Sequence, residues 1–135
     1  MTQALIRKGF EVSLKTWADA LTPALPIAWE NVPFVPPVGR YARAFLLPAD
    51  TESLFFDGTG REYTGVFQVS LAMTIGAGAA AAETLIASLA AYFSVSFTSS
   101  GLRITMLRPF SASSPIQEPD RWVIPCSAAY KAVST

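Results

Sequence analysis

From Gly65 to Ile75 large apolar residues alternate with small or polar ones: Phe67, Val69, Leu71, Met73 and Ile75 against Gln68, Ser70, Ala72 and Thr74. Successive side chains of an extended chain leave on opposite sides, so this pattern makes a strand with one core face and one face that meets water or a partner. The core face needs an apolar cover. Between Gln3 and Leu21, Ile6, Phe10, Leu14, Trp17 and Leu21 recur at spacings of four, four, three and four, which traces one stripe of a helix. Lys8, Glu11, Lys15 and Asp19 fall largely on another face, where the pairs Glu11 with Lys15 and Lys15 with Asp19 each add about 0.2 to 0.5 kcal/mol. Thr2 is read as the N-cap, and Pro23 marks the end.

A second strand is expected over Tyr41 to Pro48, where Tyr41, Arg43, Phe45 and Leu47 alternate with Ala42, Ala44 and Leu46. Its smaller face suits a closely packed helix. Before it, Ile27-Ala28-Trp29 reads as a short extended piece entering a connector with Pro33, Pro36, Pro37 and Gly39, which is barred from a central strand because proline donates no ladder hydrogen bond. A second helix spans Ala79 to Phe93, with Leu85, Ile86, Leu89, Tyr92 and Phe93 as its apolar side and alanine elsewhere. A further strand runs over Leu102, Ile104 and Met106 up to Pro109, and a Ser/Pro-rich loop, Ser111 to Pro119, leads to a last strand from Trp122 to about Val133. Pro125 demotes the first half of that strand to an edge or a bulge. The expected class is α+β: one domain over residues 1–135, with a mixed or antiparallel sheet of four to five strands and two helices on one face.

Between the two clearest strands lies a polar loop of 16 residues, Ala49 to Thr64, with Leu54-Phe55-Phe56 in its middle. Three large apolar residues in a loop call for something to cover them, so the loop points to a partner more than to a substrate. Asp50, Glu52, Asp57 and Glu62 beside Gly58 and Gly60 match no calcium-loop spacing, and we read them as solvated carboxylates; no metal is expected.

No catalytic set emerges. Cys126 is the single cysteine and the chain has no histidine, so the usual base for a thiolate nucleophile is absent and a packed strand thiol is expected, in a reducing compartment. Gly76-Ala77-Gly78-Ala79-Ala80-Ala81 follows a strand and opens a helix, the setting of a dinucleotide-binding turn. No acidic residue stands about 20 positions on, so a tight strand-to-helix turn is the better account and no cofactor is expected. Ten basic and ten acidic residues cancel, leaving no strong positive field for sequence-independent duplex binding. The charges in the first helix interrupt any signal-peptide core. Thr74 to Val95 is rich in alanine, glycine and serine and is read as core helix rather than membrane span. Arg40, Arg43, Arg61, Arg103, Arg108 and Arg121 sit in or beside the strands, where guanidinium groups suit carboxylates across a protein interface.

Four segments recur as a set: Pro26-Ile27-Ala28-Trp29-Glu30-Asn31-Val32-Pro33-Phe34, then Phe45-Leu46-Leu47-Pro48, then Arg61 leading into Gly65-Val66-Phe67-Gln68-Val69, then the alanine-rich helix. Over roughly Gln3 to Phe93 this plan resembles that of the small bacteriophage tail terminators; Ser94 stands where a proline is expected after the helix. The resemblance implies a non-enzymatic virion protein, assembled in the host cytoplasm. It would form a hexameric ring on the head-proximal end of the tail tube, stop tube polymerisation and join the tail to the neck or connector. The implied partners are sister subunits, the tail tube protein and a neck protein, with DNA only as cargo and no membrane. Leu54, Phe55, Phe56, Arg61, Tyr63, Arg43 and Gln68 are the expected contacts to a subunit or the tube, with one of the two helices as the opposing patch. Another neck ring, such as a head-closure or connector protein, is the first alternative. A small-ligand-binding or enzymatic α+β domain is the second.

Overall fold

The computed structural model describes residues 2–21, 24–49, 52–53, 61–76, 79–94, 96–99 and 102–134. Helix α1 (Thr2–Asp19) carries the expected stripe: Ile6, Phe10 and Leu14 are fully buried and Trp17 nearly so. Thr2 is its first helical residue rather than a cap outside it. Lys15 pairs with Asp19 at 3.0 Å as expected, but Glu11 pairs backwards with Arg7, at 3.8 Å, instead of forward with Lys15.

The sheet is built around two long strands, β4 (Arg61–Thr74) and β9 (Arg121–Ser134), paired antiparallel along their whole length from Arg61↔Ser134 to Thr74↔Arg121. On one side of β4 lies β2 (Tyr41–Pro48), antiparallel, and beyond it β1 (Ile27–Ala28), the one parallel neighbour among the described residues. Beyond β9 come β6 (Leu102–Met106) and β5 (Phe97–Ser99). Two-residue strands fill gaps: β3 (Glu52–Ser53) on β4, and β7 (Ser111–Ala112) and β8 (Ile116–Gln117) on β9.

The register places one residue set from every strand on the helix side. Ala42, Ala44 and Leu46 of β2 stand level with Leu71, Val69 and Phe67 of β4, which stand level with Ile124, Cys126 and Ala128 of β9. All join α1 and helix α2 (Ala80–Tyr92) in a single core cluster. Alanines at 42, 44 and 128 bring the sheet close to the helices. Phe10 is the hub, stacked on Phe67 with centroids 4.5 Å apart and meeting Phe97 and Tyr130 edge-on, each at 5.2 Å. Such ring pairs add about 0.5 to 1.5 kcal/mol each to the burial itself.

The architecture is therefore the expected α+β mixed sheet, but with more strands than four to five: six lie along the main path, with three short ones annexed. Strands of two or three residues are too short to show a period of two. The loop expected over residues 49–64 is shorter at both ends, because β3 pairs Glu52↔Glu62 and Ser53↔Arg61, and Ala49 donates its N–H to the Thr64 carbonyl at 2.8 Å. Leu54, Phe55 and Phe56 lie outside the described residues. Pro125 is not on an edge. Its strand is central, but its carbonyl accepts from the Ser113 N–H, so its donor-less side faces the gap between β7 and β8 while the β4 ladder keeps its bonds. Leu85 and Leu89 of α2 and its C-cap Phe93 are buried as expected, whereas Tyr92 is exposed.

Candidate interaction surface

The face of the sheet opposite the helices is built from the other residue set. Its rows run Arg43–Ser70–Pro125, Phe45–Gln68–Ser127 and Leu47–Val66–Ala129 across β2, β4 and β9. Thr64, Lys131 and Thr105 make a fourth row across β4, β9 and β6. Its two ends differ in what covers them.

At the Tyr41 end the proline-rich connector lies over the sheet. Phe34 packs on Tyr41 with centroids 5.2 Å apart, and Tyr41, Ala72 and Val123 form a small second core. Two arginines flank Tyr41, each with its guanidinium carbon 5.5 Å from the ring centre. Arg121 donates to the carbonyls of Pro37 and Val38, which pins the connector. Arg43 donates to both oxygens of Glu118, at 3.2 and 3.1 Å, and to the Tyr41 hydroxyl at 2.8 Å. These bonds raise the guanidinium pKa further, and the same Arg43 contact holds the Glu118 carboxyl below its ordinary value. This end of the face is closed by its own chain.

At the other end the described residues leave the face open. Leu47 and Leu107 are each at least half exposed, and between them in the same band lie half-buried Val66 and Ala129. The Leu107 N–H donates to the Ala129 carbonyl at 2.8 Å, which continues the apolar row of β2, β4 and β9 to the residue just past β6. Beside it Arg103, Thr105, Leu107, Lys131 and Val133 line an open groove of about 280 Å³. Lys131 pairs with Glu62 at 3.5 Å.

The free edge of β2 is guarded. Glu30 reaches across to accept the Leu46 N–H at 2.6 Å while also accepting from Arg7 at 2.9 Å, and Pro48 has no N–H to offer. Burial pushes the Glu30 carboxyl up, but the Leu46 and Arg7 bonds outweigh it and hold the group below its ordinary value. Between α1 and the turn from Trp29 to Val32 lies a wider groove of about 620 Å³ with Val12 and Trp29 among its apolar lining. Asn31 turns the chain there with φ 57°, a conformation asparagine tolerates.

The expected contact residues separate into groups. Arg43 and Gln68 lie on the face opposite the helices, where Arg43 is engaged by Glu118 and Gln68 donates to Ser70 at 3.2 Å. Tyr63 lies on the helix side, packed against the main core, and Arg61 begins β4 at the open end. Leu54, Phe55 and Phe56 are outside the described residues. The exposed row through Leu47 and Leu107 carried a sequence signal only at Leu47, on the bulky side of its strand. Cys126 is fully buried, and burial pushes its thiol up to about 11, the state of an inert packing group. Among the described residues no cluster of three or more metal-ligating side chains occurs, and no helix is long and apolar enough to cross a membrane.

No curated protein matches the sequence. A solved protein structure is similar over nearly its full length, with 43% sequence identity, a TM-score of 0.83, and coverage of 98% of this chain and 96% of the other. A family model described as phage tail terminator protein matches residues 5–130. That span takes in β4 and α2 whole and most of α1 and β9, so the chain belongs to the phage tail terminator protein family.

Proposed function

We propose that this chain is a structural tail component of a phage virion that forms a ring, a hexamer by the family resemblance, on the head-proximal end of the tail tube. The ring stops tube polymerisation and offers the neck proteins a docking surface, while DNA passes through as cargo. The observation that supports this reading is the family match over 5–130. A cyclic ring joins two different patches on each subunit. The loop with Leu54, Phe55 and Phe56 serves as one patch or meets the tube, with Arg61, Tyr63, Arg43 and Gln68 as further contacts to a subunit or the tube; α1 or α2 supplies the opposing patch. The mechanism is steric: a ring that matches the growing tube end on one face only blocks further addition.

The test is the mass of the purified protein with and without tail tubes. A defined multimer at tube ends is expected, and a strict monomer that never joins them sinks the proposal. Deleting the gene should leave overlong or unjoined tails; complete tails beside unsealed heads would identify a head-closure protein instead.

A further inference from the structure

The proline-rich connector, residues 32–39, is fixed on its inner side and bare on its outer one. Phe34 packs on Tyr41, and the Pro37 carbonyl accepts from Arg121. Residues 33–37 belong to no helix, strand or turn, and exposure along them repeats every third residue. Phe34, Pro37 and Arg40 are half-buried; Val32, Val35 and Val38 are 53%, 88% and 95% exposed, and Pro33 and Pro36 are exposed beside them. Three residues per turn is the period of the left-handed polyproline helix, and the prolines at 33, 36 and 37 hold φ near the value it requires. The outer side therefore presents two valine-proline pairs one turn apart, Val32-Pro33 and Val35-Pro36, and no charged residue stands between 31 and 39.

We infer that residues 32–36 dock through those two pairs in an aromatic-lined groove of the neck protein. Uncharged proline segments of this period are read by grooves lined with aromatic rings, which use a ligand already extended before binding. Here Arg121 and Tyr41 hold the segment in place on its own sheet, so docking costs little ordering. The chain's own long loop does not reach the ridge. Tyr41 stands level with Ala72, eleven residues along β4 from Arg61, or about 37 Å. Residues 54–60 are tied at both ends to the Ser53–Arg61 pair, and seven residues so tied extend about 14 Å. That same separation selects the neck: the loop, Arg61 and Tyr63, expected to meet a subunit or the tube, start from the opposite end of β4. The identity of the partner rests on the ring reading above.

Parent and variant chains are bound to purified tail tubes and offered heads of the same phage that carry their neck. Val35→Ser with Pro36→Ser should keep the parent's melting point and its binding to tube ends, because both side chains are exposed, while head joining falls at least about tenfold. Val38→Ser removes the most exposed valine, which precedes no proline, and should leave joining unchanged. Unchanged joining by the double variant overturns the contact and leaves the ring standing. An equal loss with Val38→Ser marks a general apolar patch and overturns the polyproline register. Lost tube-end binding by a folded double variant places the ridge on the tube and overturns the neck contact. A parent chain that forms no multimer on tubes overturns the ring and the choice of partner together.

Discussion

Gly65 shows how one residue ties two strands to the core. It sits in β4 opposite Tyr130, whose buried ring lies over it; a Cβ there would come 2.6 Å from both the Leu47 carbonyl oxygen and the Tyr130 hydroxyl, and 2.9 Å from the Tyr130 ring. A methyl group forces backbone or a fully buried ring to move, because the interior is close-packed. Gly65→Ala should therefore destabilise the fold by about 1 to 3 kcal/mol, read as a lower denaturation midpoint. An unchanged midpoint would mean the ring has room to shift. From sequence Gly65 is only the start of an alternating run, since its neighbour Tyr130 is 65 positions away.

At the scale of elements, the guarded edge of β2 makes stability depend on pH. Glu30 has its folded pKa held below the ordinary 4.5, so its contribution is fully present above that value and is lost as pH falls through the folded pKa. Glu30→Ala should cost about 1 to 3 kcal/mol near neutrality, because the Leu46 N–H and Arg7 lose their acceptor. Thermal melts from pH 7 down to about pH 3 should then fall less steeply for the variant than for the parent. Equal slopes would show that Glu30 is not the titrating group. α1, α2 and the long strands were legible because each repeats its period over many residues. β5, β7 and β8 were not, because their conformation is imposed by the strand beside them. Pro125 misled for the same reason: which side of a strand lacks a partner depends on its neighbours.

At the scale of the whole molecule, the sheet has one face under two helices and another that the described residues close at the Tyr41 end. Exposed apolar area in the row through Leu47 and Leu107 fits the proposed contact with a partner. Replacing Phe55 and Phe56 together by serine should leave the circular dichroism spectrum and melting point of the isolated protein nearly unchanged while reducing assembly on tail tubes by about tenfold or more. An unfolded double variant would show that these rings are core.

The amino-acid sequence alone determined the class of the fold, the stripe of α1, the two faces of β2 and β4, and the family resemblance. Those follow from periodicity and local residue order, which a linear chain displays directly. Tertiary structure alone decided which half of the sheet face stays open. Arg43, expected at an interface, is bound to Glu118, 75 residues away, and Arg121 pins the connector from more than 80 residues off. Leu107, unremarkable in sequence, ends an apolar row with Leu47, Val66 and Ala129. Pairings at that separation are set by strand order and register, and those are fixed only when the whole core packs at once.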